Sequence, residues 1–138
     1  KHLVEPCVVY SFGCDNSFFF EDALRRNGIM CEVHIFDPLH IPDASTTGPS
    51  HAPYFLHKVA LLDHDGSEEF LEKEARRTVK ANRLQTLMEE LGHNQIDILK
   101  IDIESCEHRV FEQLAREGWP RVNQLLLEIH LGDNLGDR

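Results

Sequence analysis

The sequence predicts an open α/β fold, a mainly parallel sheet with helices on both faces. Three observations point there. β-rich apolar runs alternate with amphipathic segments, most of these segments close on glycine, and no internal repeat or low-complexity tract competes with the alternation. Alternation of this kind implies right-handed crossovers. At 138 residues, 1–138 is expected to be a single domain with one core. The chain opens on Lys1 rather than Met, with a strand-like run within a few residues, so a fragment of a longer protein is expected.

Val4 to Phe12 (VEPCVVYSF) reads as a first strand ending at Gly13. Ser17 to Asn27 is amphipathic and closes at Gly28. Asn16 or Ser17 is placed to cap it, Glu21 and Asp22 lie early and Arg25 and Arg26 late, the signs a helix dipole favours. Cys31 to Phe36 alternates and ends in Asp37-Pro38, giving a second strand, and is followed by a long Pro/Ser/Thr/Gly-rich loop to about Pro53. Phe55 to Leu62 reads as a third strand. Asp63-His64-Asp65-Gly66 reads as a hairpin-type turn into a short returning segment, Ser67 to Leu71. Thr78 to Leu91 carries a helical pattern stopped by Gly92, and Ile96 to Ile103 reads as a fourth strand. Cys106 to Glu117 reads as a helix stopped by Gly118, and Val122 to Ile129 as a fifth strand.

A net charge of −10 repels phosphate backbones and anionic lipid, so neither nucleic acid nor direct membrane contact is expected of this segment. No apolar run approaches the roughly 20 residues of a membrane span. The expectation is a soluble domain, cytoplasmic, or in the secretory pathway if an upstream signal has been removed. Cys7, Cys14, Cys31 and Cys106 lack C-x-x-C spacing, which disfavours zinc-ribbon and thioredoxin sites. Buried thiols are the default reading, although Cys7 and Cys31 precede neighbouring strands and are able to approach each other.

Ligands of open α/β sheets bind outside the carboxyl ends of the strands. Those ends carry Phe12, Gly13, Cys14 and Asp15, then Asp37, Leu62 and Asp63, Asp102 and Glu104, and Glu128 and His130. Gly13 permits a tight turn and close ligand approach. Asp37 follows it by roughly 20 residues, the spacing of a ribose-binding acid. Lys100, Asp102 and Glu104 alternate and share a face if the strand runs that far; the alternative is that the two acids cap the next helix. His130 beside carboxylates suits a general base or a metal ligand, while His34, His57 and His108 read as structural or exposed.

Ile98 to Glu107 (ILKIDIESCE), Val9 to Asp15 (VYSFGCD), Ile35 to Pro38 and Leu127 to His130 together resemble the FkbM-like S-adenosylmethionine-dependent methyltransferases, in an animal methyltransferase-like branch. The resemblance covers nearly the whole chain. It implies a Rossmann-like class I methyltransferase sheet and S-adenosylmethionine as methyl donor, with a hydroxyl of a sugar or other small molecule as acceptor. It places the cofactor's methionine part near Gly13 and Asp102, its ribose on Asp37 and its adenine against Leu62 and Asp63. The chain departs from the family in offering fewer loop glycines, in having Ser105 where a glycine is expected, and in stopping soon after strand five, before the terminal β-hairpin.

For such a transfer the protein aligns donor and acceptor, and Asp102, Glu104 or His130 takes the acceptor's proton. A less favoured variant places Mg²⁺ on Asp102, Glu104 and Glu128. Two other classes compete. One is a catalytically silent binding module on the same fold. The other is an NAD-dependent oxidoreductase, ranked lower because G-x-G-x-x-G is absent.

Overall fold

A computed structural model describes residues 6–41, 54–104 and 106–130. Five strands form one parallel sheet in the order β3-β2-β1-β7-β8. Their ranges are β1 Val8–Phe12, β2 Glu32–Phe36, β3 Phe55–His57, β7 Ile96–Ile101 and β8 Val122–Leu127. Strand order runs outward from β1 in both directions, so the reversal falls between β1 and β7. This is the α/β architecture the alternation predicts.

Helix α1 (Phe19–Arg26) covers one face, where Phe20 and Leu24 pack on Val9, Val33, Ile35 and Ile98. Helices α2 (Leu84–Leu91) and α3 (Glu107–Glu117) cover the other. Leu84, Leu87, Met88, Val110 and Leu114 pack there on Tyr10, Phe12, Phe36, Leu99 and Ile101. Burying a side chain of this size stabilises the fold by about 1.5–3 kcal/mol, so the two apolar layers close both faces of the sheet and leave its ends for a cleft. Among the described residues β8 is an edge strand, and Leu125, Leu126 and Leu127 remain exposed on it. No described helix is long and apolar enough to cross a membrane.

Several expected elements differ. The run 55–62 is two strands: Val59 N–H turns back to the His57 carbonyl, and β4 (Ala60–Leu61) leaves to pair with β6 (Ala75–Asn82) in a second, three-stranded sheet. Exposed Lys58 sits at the break. The Asp-Gly pair makes no hairpin. Asp65 instead accepts the Arg83 backbone N–H and the Thr86 hydroxyl at the start of α2, and Gly66 opens β5 (Gly66–Glu72). The hairpin is β5–β6, turning at Lys73 and Glu74, both left-handed (φ 46° and 69°). Residues 78–82, read as helix, belong to β6.

The strands before the rim stop earlier than read, at Ile101 and Leu127, leaving Asp102, Glu104, Glu128 and His130 just beyond them. Neither Asn16 nor Ser17 caps α1, because the Ser17 amide is held on the Cys14 carbonyl. The strand residues Val4 and Glu5 and most of the loop 39–53 lie outside the described residues.

Cys7 and Cys31 form a disulfide with Cα atoms 4.7 Å apart, replacing the default reading of buried thiols for this pair. It staples the starts of β1 and β2. A Cys7→Ser/Cys31→Ser variant is expected to lose about 3 kcal/mol of stability in a denaturant titration, the loop-closure value for a bridge of this span.

Candidate functional site

Gly13 stands where β1 meets both neighbours. Its N–H donates to the Phe36 carbonyl of β2, while the Asp102 N–H donates to the Phe12 carbonyl from the β7 side. Its φ is +80°, and a Cβ added there would overlap the Asp102 carbonyl oxygen, so only glycine fits. Asp15 and Asn16 follow in the left-handed region (φ 43° and 59°), as does Glu104 (φ 53°) on the other side of the cleft. Non-glycine residues rarely hold such φ, and three of them at one rim mark a loop set over-determined by its surroundings.

What determines the turn is Asp37. Its buried carboxylate accepts four backbone N–H groups, from Cys14 (3.1 Å) and Asp15 (3.2 Å) on one oxygen and from Leu39 (2.9 Å) and His40 (2.7 Å) on the other. Burial alone would raise its pKa, but these four bonds outweigh it and hold the carboxyl below the usual range. The ribose contact expected of Asp37 therefore competes with four amides. Burial, with Asp37 beside it, pushes the Cys14 thiol up to about 12, so Cys14 serves as an apolar wall and backbone donor.

Two cavities adjoin along this rim and share Gly13, Asp37, His40, Asp102 and Glu104. The larger, about 480 Å³, continues to Cys14, Asp15, Phe20, Glu21 and Lys100. Lys100 Nζ donates to the Gly13 carbonyl at 2.8 Å and lies 3.6 Å from Asp102. The smaller, about 140 Å³, is an apolar slot walled by Phe12, Phe36, Leu61, Leu62, Phe70 and Ile103. Phe12 and Phe36 stack there with centroids 4.4 Å apart. Leu62 lines the slot, whereas Asp63 pairs with Arg109 at 2.8 Å and with His64 at 3.0 Å.

Glu21 was not singled out by the sequence as a site residue. It lines the larger cavity at 1 % exposure, and burial raises its pKa. The Ser11 hydroxyl lies close enough to work against that rise, yet neither Glu21 Oε2 nor Ser11 Oγ makes a well-formed hydrogen bond among the described residues. A buried carboxylate oxygen without a donor costs on the order of 1–3 kcal/mol, so this position favours a ligand that donates. The signal available was its position three residues before Leu24, on the packed stripe of α1.

His130 closes the rim. Its Nδ1 lies 2.8 Å from buried Glu107 Oε1, and its Nε2 is 3.6 Å from Asp102, 3.7 Å from Glu104 and 3.9 Å from Glu128. The Glu107 bond, helped by Glu104 and Asp102, raises the His130 pKa above its ordinary value. Burial works to raise the Glu107 carboxyl, and the bonds from His130 and the Ile103 N–H more than offset it. Asp102, Glu104 and His130 thus do converge. Asp102 and Glu104 do not cap α3, whose leading residue Cys106 has no side-chain cap and whose Glu107 reaches back to Ile103. Glu107 also escaped the sequence reading, although its spacing to Val110 and Leu114 places it on the core face of α3.

A family model described as a methyltransferase domain matches residues 1–135. The chain is similar to the probable methyltransferase-like protein 24 of Homo sapiens, 33% identical over 129 residues, covering 92% of this chain and 33% of that protein. It is 30% identical over 134 residues to the probable methyltransferase-like protein 24 of Rattus norvegicus, covering 92% and 34%. A 48-residue stretch, 35% of this chain and 18% of the relative, is 40% identical to the 31-O-demethyl-FK506 methyltransferase FkbM of Streptomyces tacrolimicus. The chain thus spans about a third of the length of the first two relatives. No solved structure matches it.

Asp37→Ala is expected to cost about 2–4 kcal/mol, because four backbone donors lose a charged, buried acceptor. The depressed Asp37 pKa gives a matching pH dependence. Its stabilisation is full above the unfolded value of about 3.9 and is lost as pH falls through the lower folded value. Urea titrations of the parent and the variant between pH 2 and 6 should show the gap between them closing at the acid end.

Proposed function

The chain belongs to this FkbM-like methyltransferase-domain family, and on that premise we propose that it binds S-adenosylmethionine across the ends of β1, β2 and β7 and methylates a hydroxyl of a small molecule or glycan. The observation that carries this reading is the pair of adjoining cavities at the point where strand order reverses. One is polar and holds a buried carboxylate, Glu21, one of whose oxygens lacks a well-formed hydrogen bond; the other is apolar and aromatic. That pairing fits a ligand with a cationic amino-acid end and a flat heterocycle.

Glu21 takes the ammonium group, and Lys100, already at the turn, faces the carboxylate beside it. Phe12, Phe36 and Leu62 enclose the adenine. Gly13 and the amides of Cys14 and Asp15 bring backbone close to the ligand, and Asp37 is the positioning residue that holds those amides. S-adenosylmethionine, when bound, supplies an activated methyl group. The acceptor hydroxyl gives its proton to His130 Nε2, and Glu107 keeps the imidazole turned toward the rim. Asp102 and Glu104 orient the acceptor and stabilise the imidazolium as it forms. The name of the Streptomyces relative refers to methylation of an O-demethyl compound, which supports an oxygen acceptor here. The Cys7–Cys31 bridge supports placement in the secretory pathway.

A second reading adds a divalent cation, because Asp102, Glu104 and His130 offer ligand atoms within 4.8 Å of one another. A divalent cation there would polarise the acceptor oxygen, and chelator would then abolish transfer.

Calorimetric titration with S-adenosylmethionine and S-adenosylhomocysteine is expected to give micromolar binding, weakened at least tenfold in Glu21→Gln. Absence of binding by the folded protein would favour a silent interaction module. His130→Ala should retain cofactor binding and lower transfer by roughly 10²–10⁴-fold. Since the base acts deprotonated and its pKa is raised, transfer by the parent should climb with pH through the region above about 6.5 and then level off.

A further inference from the structure

At the opposite end of β2 from the rim, the structure gathers a second set of chemically capable side chains. Glu32, His34 and His93 each present one ligating atom, and the three atoms lie within 4.8 Å of one another. Glu32 Oε1 is 2.7 Å from His34 Nε2 and 3.3 Å from His93 Nε2. Glu32 opens β2 and Asp37 follows its end, so at about 3.3 Å per residue Glu32 stands about 16 Å and His34 about 10 Å from the Asp37 end of the strand. It takes no part in the site described above.

The remaining nitrogen of each imidazole is held from behind. His34 Nδ1 lies 2.9 Å from His57 Nε2, and His93 Nδ1 lies 2.7 Å from the hydroxyl of buried Tyr10. His34 also packs among the rings of Tyr10, Phe55, His57 and His93, with centroids between 4.9 and 5.4 Å apart. Two imidazoles are therefore fixed with both Nε2 atoms directed at one carboxylate oxygen. Imidazole nitrogens braced through their second ring nitrogen, completed by a carboxylate, are the donor set of zinc rather than of calcium or magnesium.

We propose that Glu32, His34 and His93 form a zinc site, with His57 and Tyr10 fixing the two imidazoles. Ligands 2.0–2.1 Å from a tetrahedral ion stand roughly 3.3 Å apart. The His93–Glu32 separation already has this value, and the His34–Glu32 pair has to open by about 0.6 Å. Glu32 is exposed, and its carboxylate makes that adjustment by giving up the bond from His34 Nε2. Without metal, Nε2–H faces the accepting Glu32 oxygen. On binding, the Nε2 proton passes to solvent and solvent supplies one to Nδ1, so the neutral imidazole keeps a single proton facing His57 Nε2 or the Tyr10 oxygen and gives its Nε2 lone pair to the metal. Because His93 lies in the connection from α2 to β7, the ion would clip that connection to β2 and stabilise the sheet.

The test is calorimetric titration of the metal-stripped protein with zinc chloride. It is made in a His130→Ala background so that the Asp102–Glu104–His130 group is disabled. One zinc per chain is expected, together with a zinc-dependent rise in melting temperature. Both should be weakened at least tenfold in affinity by adding Glu32→Gln or His93→Gln. Circular dichroism checks the fold of each variant, and because Glu32 is exposed its variant decides the matter should His93→Gln unfold. No zinc uptake in the His130→Ala protein, or uptake unaffected by Glu32→Gln, overturns the proposal. The proposal does not rest on the cofactor reading, and S-adenosylhomocysteine binding is expected to survive Glu32→Gln.

Discussion

Everything at the rim depends on the close passage of β1 past β7 at Gly13. The turn after β1 has to clear the Asp102 backbone, and it does so only because residue 13 has no Cβ. From that contact the Gly13 carbonyl is presented to Lys100, the Gly13 amide to β2, and the chain is sent through two left-handed residues toward α1. Asp37 then locks the result by gathering amides from both the turn and the loop after β2. A glycine that permits the turn and an aspartate that fixes it together shape the cleft beyond the ends of β1, β2 and β7.

The second sheet is a working part of the same rim. The β5–β6 hairpin places Phe70 in the apolar slot, and Glu72 sits 3.3 Å from His40, which lines both cavities. His40 is also near Asp15 and Asp37 at 3.7 and 3.9 Å, so the hairpin end, the turn after β1 and the loop after β2 meet at one imidazole. On the far side Arg109 joins α3 to Asp63 and Glu68 at 2.8 and 3.4 Å. These are partly exposed pairs, each contributing at most about 1 kcal/mol, so their importance is geometric. They hold the smaller sheet against the strand ends.

The sequence made the parallel sheet legible because β1, β2, β7 and β8 are apolar runs closed by glycine or acid, and that punctuation survives without knowledge of neighbours. In the region 58–82 only the returning segment Ser67 to Leu71, which falls in β5, was legible. Asp65-Gly66 has turn chemistry that the tertiary structure uses for anchoring α2, and β6 (ARRTVKAN) carries too few apolar residues to declare a strand until β4 and β5 flank it. At the site, the acids at strand ends could be read because an open α/β sheet gathers them. Glu21 and Glu107 could not be read in the same way: a carboxylate on the buried side of a helix looks like any surface acid unless its spacing to the apolar stripe is counted. The histidines of β2 and β3 had no visible company either, because His93 joins them from 59 positions beyond His34.

The most direct test of the central claim is a crystal structure of the protein grown with saturating S-adenosylhomocysteine. The account predicts the amino group on Glu21 beside Gly13 and the adenine in the slot between Phe12, Phe36 and Leu62. Ligand bound elsewhere, or an empty cleft with Glu21 still unpartnered at saturation, would contradict it.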